Sequence, residues 1–192
     1  SFVFVDRPAP YLDADSVTVD NRGGITACVD HLLEQGCSSI AIIADTTSIW
    51  TASERIEAFK QALLSRKIDK KSVHIISNIH TSQDAGAATR KLLKENSEVD
   101  GIIATNDLIA MGVGQTVSTL SSKVKVVSFD LFPTANLLNI ATLDHDPQRL
   151  GRISAELLLK RFENPTDRNF TAEVMKVTMR PLGKETEGSS SL

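Results

Sequence analysis

Short polar groups stand in this sequence wherever an apolar run gives out. Residues 1–5 lead into Asp6-Arg7-Pro8, and residues 38–44 into a stretch from Asp45 to Ser53 that contains Trp50, with Arg55 just beyond. Residues 73–77 are followed by Asn78, His80 and Thr81, residues 101–104 by Asn106 and Asp107, and residues 124–129 by Asp130. Carboxylates and amides accept hydrogen bonds from hydroxyl groups, a guanidinium donates in a fork, and an aromatic face covers the apolar side of a ring. The chemistry these residue types suit is the binding of a polyhydroxylated small molecule.

Each residue also has a plainer use. Asp107 reads as the cap of the helix that follows it, and Asn106 as either cap or ligand group. Trp50 could pack against the next helix, and Asp130 could simply turn the chain. Arg55 is the exception, because a cation near a helix start opposes the macrodipole and needs a reason to be there. Catalysis has less support. The chain has no G-x-S-x-G elbow, no P-loop, no G-x-G-x-x-G after a strand and no H-E-x-x-H. "NRGG" at 21–24 lacks a preceding strand and a Lys. His145, between Asp144 and Asp146, could be oriented as a base, but no nucleophile accompanies it. A binding protein without a cofactor or catalytic set is the expectation.

The elements that must position these groups alternate. Helix-like periodicity marks 24–36, 52–67 with Ser53 as a candidate cap, 82–97, 107–120 and 147–164, the last with Pro147 suited to a first turn. Apolar strands read at 1–6, 38–44, 73–77, 100–105 and 124–129, and 171–179 alternates like a half-exposed strand. Strand–helix alternation at this spacing predicts βαβ units and parallel sheets. Parallel strands bring all their carboxyl-end groups to one edge, where open α/β sheets bind small molecules.

Bulk properties agree with that class. At 192 residues and a net charge of −3, the chain has an ordinary globular composition and no overall basic surface for nucleic acid. No apolar run approaches the ~20 residues of a membrane span, and no basic n-region opens the sequence. Two cysteines, Cys28 and Cys37, read as reduced thiols of a cytoplasmic protein, and His31 alone does not complete a metal site with them.

Taken in order, "FVFVDRP…DSVTVDNRGGITACVDHLLEQGCSSIAII", "SERIEAFKQAL", "GIIATNDLIAMGV", "VVSFD" and "IATLDHDPQRLGRISAELLL" resemble the LacI/GalR family of bacterial transcriptional regulators, in their effector-binding domain. The resemblance runs to about Arg180-Pro181. It implies a periplasmic-binding-protein-like α/β fold, with one complete lobe at 20–140, part of a second lobe and crossover segments at 1–19 and 141–180, and a polar tail at 181–192. By position it makes Arg55 the main effector-gripping arginine and puts Asp6, Asn106 and Asp130 around the effector. His145 and Pro147 fall on the last crossing segment, and His80 and Thr81 match a frequently aromatic stretch.

The resemblance also implies a cytoplasmic homodimer, paired through 108–119 and 133–139, that senses a sugar or nucleoside. Operator DNA would be reached only through a helix-turn-helix that 1–192 lacks, and the incomplete lobe should expose apolar edges. A solute-binding protein of a sugar transporter shares the fold and is the alternative. Three departures bear on the effector: Cys37 after the glycine of "HLLEQG", "IADTTSIW" in place of a Gly-Pro turn, and Leu131-Phe132 where a second acidic residue often follows Asp130.

Overall fold

The computed structural model describes residues 1–8, 11–69 and 72–182. Its strands are β1 (Val3–Val5), β2 (Asp15–Val19), β3 (Ile40–Ile43), β4 (Val73–Ile76), β5 (Gly101–Ala104), β6 (Lys125–Ser128), β7 (Ile140–Asp144), β8 (Ala172–Met175) and β9 (Thr178–Arg180). Its helices are α1 (Asn21–Glu34), α2 (Trp50–Ser65), α3 (Ser82–Glu95), α4 (Asp107–Thr119) and α5 (Pro147–Glu163).

Two sheets result. The larger runs β4-β3-β5-β6-β7-β9 and is parallel except for β9, which pairs antiparallel with β7. The smaller, β1-β2-β8, is parallel throughout. The central strands of the large sheet are apolar without alternation because both faces are covered. Ile40 and Ile42 join Ile25, Leu32, Phe59 and Leu63 of α1 and α2 on one face, while Ala41 and Ile43 join Leu92, Ile109 and Val113 of α3 and α4 on the other. The α3–α4 contact depends on Gly112, where a Cβ would stand 2.0 Å from the Ser82 carbonyl oxygen.

The small sheet is held to α5 by one buried ion pair. Arg161 forks onto Asp15, with Nη2 donating to Oδ1 at 2.9 Å and Nε to Oδ2. Its guanidinium lies 4.6 Å from the centre of the Phe170 ring. The Arg161 hydrogen bond holds the Asp15 carboxyl below the usual carboxylate range against the opposing effect of burial. Phe2, Val5, Leu159, Phe162 and Val174 stay exposed in this part of the molecule.

Several expectations need correction. The 171–179 segment is two strands, β8 and β9, that serve different sheets. Residues 140–144 and 178–180, assigned by sequence largely to the partial second lobe, complete the large sheet instead. Arg180 fastens them there, donating from Nε to Asp144 Oδ2 at 2.9 Å. Helix α2 begins at Trp50 rather than at a Ser53 cap, because Ile49 ends the preceding loop without a side-chain cap. Beyond Leu182 the expected polar tail lies outside the described residues.

Candidate functional site

A cleft of about 250 Å³ lies beyond the carboxyl ends of both sheets. Asp6 and Arg7 reach it from the end of β1, Val19 from β2, Asp45 from β3, Thr105 and Asn106 from β5, Asp130 from β6 and His145 from β7. The loop into α2 adds Ile49, the first turn of that helix adds Thr51 and Ala52, and its second turn adds Arg55. This is where parallel α/β topology gathers strand-end side chains.

Arg55 is the best-held group. Its Nε donates to Asn21 Oδ1 at 2.7 Å and its Nη1 to the Thr105 carbonyl. The guanidinium carbon sits 3.7 Å from the centroid of the Phe129 ring. Phe129 is itself fixed under α1, where a Cβ on Gly24 would meet its ring at 2.6 Å. Asn21 is set in turn by its Nδ2, which donates to the Val19 carbonyl at 3.1 Å. Burial pulls the Arg55 pKa below its ordinary value, opposed by Asp130 and Asp6. A guanidinium so far above neutrality still carries its charge. Its Nη2 has no hydrogen-bond partner among the described residues, which leaves one edge of the fork for a ligand.

The other polar groups are partly committed. Asn106, not Asp107, caps α4: its Oδ1 accepts from the Ile109 amide at 2.9 Å, leaving the amide nitrogen as a donor. Asp107 accepts from the Leu108 amide at 2.8 Å and does not line the cleft. His145 Nε2 lies 3.4 Å from Asp130 Oδ1, and this contact raises the His145 pKa against burial. No side-chain hydrogen bond caps α2, and Thr51 and Ala52 of its first turn line the cleft.

Of the residues expected from sequence, Arg55, Asp130, Asn106, Asp6 and His145 come together here. Trp50, His80, Thr81 and Pro147 do not line the cleft. Trp50 is taken into the first turn of α2, and Thr81 spends its hydroxyl capping α3 at Asp84. Pro147 opens α5 past the turn at Asp146 and is exposed. His80 stands one layer out, with Nδ1 2.6 Å from Asp45 Oδ1. Arg7, Asp45 and Thr51 also line the cleft; the sequence reading counted them among the strand-end groups without singling them out as ligand residues. Both thiols are buried and free; burial raises the Cys28 pKa and pushes Cys37 up to about 11.

Residues 29–181 match the periplasmic binding protein-like domain. The chain belongs to that family. The ribose operon repressor of Halalkalibacterium halodurans is 28% identical over 182 residues, covering 91% of this chain and 54% of that protein. The regulator MalR of Streptococcus pneumoniae is 29% identical over 153 residues, covering 79% of this chain and 44% of its own length. The chain thus spans about half the length of these relatives. A LacI family regulator of Enterococcus faecium solved with bound ribose superposes with a TM-score of 0.82 at 22% identity, over 96% of this chain and 71% of that one. The CelR–cellobiose complex does so at 0.79 and 24% identity, over 94% of this chain and 58% of that one. These structures share the fold, and the regulators bear out the LacI/GalR resemblance read from the sequence. No helix among the described residues is long and apolar enough to cross a membrane.

Proposed function

We propose that this chain is the effector-sensing part of a LacI-type transcriptional regulator, and that its cleft takes an uncharged single sugar ring. The observation that carries the reading is Arg55, a buried cation tied to α1 and to the end of β5 with one edge turned to a cleft that carboxylates enter from both sheets. Asp6, Asp45 and Asp130 supply acceptors for hydroxyl groups, and Arg55 and Asn106 supply donors. The carboxylates are matched by Arg7, Arg55 and His145, so a neutral ligand fits better than a phosphorylated or acidic one. At about 250 Å³ the cleft is smaller than pockets for drug-sized molecules. Among the described residues no Phe, Tyr or Trp lines it, which favours a sugar over a nucleoside whose base would need a stacking surface.

A ligand bridging Asp6 on the small sheet and Arg55 on the large lobe would favour one arrangement of the two and so shift a pre-existing equilibrium. In the whole regulator that shift would alter operator DNA binding by a cytoplasmic homodimer. Exposed Leu108 and Leu120 at the ends of α4, with Leu131 and Leu137 between β6 and β7, support pairing through that face. The named relatives favour a regulator over a transporter's solute-binding protein. Titration calorimetry with neutral pentoses and hexoses, their phosphates and nucleosides tests the reading. Saturable binding of a neutral monosaccharide is expected. Preference for a sugar phosphate or a nucleoside, or no binding, would overturn it.

A further inference from the structure

We propose that Asp45 is a ligand-gripping carboxylate of this cleft and that His80 is the positioning residue that holds it there; this rests on the sugar-binding reading above. Asp45 lies two residues past the end of β3 and lines the same cleft as Arg55 and Asn106. The β3–β4 pairing continues beyond both strands, with the Ala44 amide donating to the Ile76 carbonyl at 2.9 Å and the Ile79 amide to the Ala44 carbonyl at 3.1 Å. Asn78 then takes a left-handed conformation, φ 64°, and the chain returns His80 to Asp45.

The Asp45 carboxylate is consequently used on one side. Its Oδ1 lies 2.6 Å from His80 Nδ1 and accepts from the Thr46 amide, also at 2.6 Å. Its Oδ2 has no partner among the described residues. A carboxylate has about four acceptor positions, so the outer oxygen remains able to take one or two hydroxyl groups. His80 is 57% exposed, against 22% for Asp45. A ring that open has little packing reason to keep one orientation, and its bond to Asp45 supplies one. Fixing the inner oxygen fixes the outer one, which is how an outlying histidine orients a binding carboxylate.

The test is calorimetry on the protein with D-ribose, D-xylose, D-glucose and D-galactose, and with the monodeoxy forms of whichever bind. Asp45→Asn should weaken binding by roughly 10-fold or more, the usual weight of a hydrogen bond to a charged group. It should also erase the penalty for removing one particular hydroxyl while the other penalties stay, the signature of a direct pair. His80→Ala should give a smaller loss that His80→Gln restores, since Gln can still donate. Should Asp45→Asn not fold, the exposed His80 pair carries the test alone. Binding by Asp45→Asn that stays within about 2-fold of the unaltered protein, or that falls with every hydroxyl penalty intact, would reduce Asp45 to a loop staple. If the unaltered protein binds none of the four sugars, the sugar reading itself fails and this proposal with it.

Discussion

Replacing Arg55 with methionine removes the guanidinium while keeping much of the side-chain volume, and its cost can be worked out from the contacts. Two hydrogen bonds from a charged donor disappear, to Asn21 Oδ1 and the Thr105 carbonyl, and both acceptors belong to buried residues. Leaving a buried acceptor unpaired costs about 1–3 kcal/mol. The stacking on Phe129 is worth up to about 2 kcal/mol more in a desolvated setting. Against this stands the relief of no longer burying a charge, several kcal/mol in most proteins. Among the described residues no carboxylate is in direct contact with Arg55 to offset that burial; Asp130 and Asp6 act on it from a distance. The balance is a destabilisation of about 2–4 kcal/mol for Arg55→Met, together with loss of sugar binding. Urea unfolding followed by circular dichroism reads the first, and calorimetry at a temperature where the variant is folded reads the second. A variant as stable as the unaltered protein, or more so, would refute the reasoning that these bonds outweigh desolvation.

Gly112→Ala gains helix propensity of about 1 kcal/mol, but its Cβ would meet the Ser82 carbonyl oxygen of α3 at 2.0 Å. Backbone must move, so a net loss of about 1–3 kcal/mol is expected by urea unfolding, and a gain in stability would contradict the close α3–α4 packing. His145 has a folded pKa raised mainly by Asp130, so its stabilising contribution is complete below its unfolded pKa and fades as pH rises through the folded value. The stability difference between the unaltered protein and His145→Gln should therefore shrink from about pH 6 to about pH 8; a difference that does not change with pH would dissolve the His145–Asp130 pair. Cys37, with its pKa pushed up to about 11, should alkylate far more slowly at neutral pH in the folded protein than after unfolding, and equal rates would mean that its environment is open.

The strand runs at 40–43 and 101–104 were legible because burial on both faces leaves an unbroken apolar signature. What escaped depends on distant partners. β7 and β9 meet through an antiparallel pairing that joins Thr142 to Arg180, and nothing local in either stretch announces it. The start of α2 was read two residues late because Ile49 offers no polar cap, so the Thr/Ser-rich approach passes for loop. At the 105–107 corner both residue types fit capping, and only the backbone decides that Asn106 caps while Asp107 begins the helix. The site was legible wherever it follows strand ends directly, as at Asp6, Asn106 and Asp130. Thr81, read among the strand-end groups, caps α3, and Pro147, placed at the cleft by positional resemblance, opens α5. Asp45 was visible past β3, but its tie to His80 needs the loop after β4 folded back, which no spacing in the sequence reveals.

The most direct test of the sugar-sensing reading is a crystal structure of the protein grown with the monosaccharide that binds most tightly in calorimetry. The expected result is a sugar ring in the cleft, with hydroxyl groups within hydrogen-bonding distance of Arg55 and Asp130. A ring bound elsewhere, or a cleft without sugar at a saturating concentration, would contradict it.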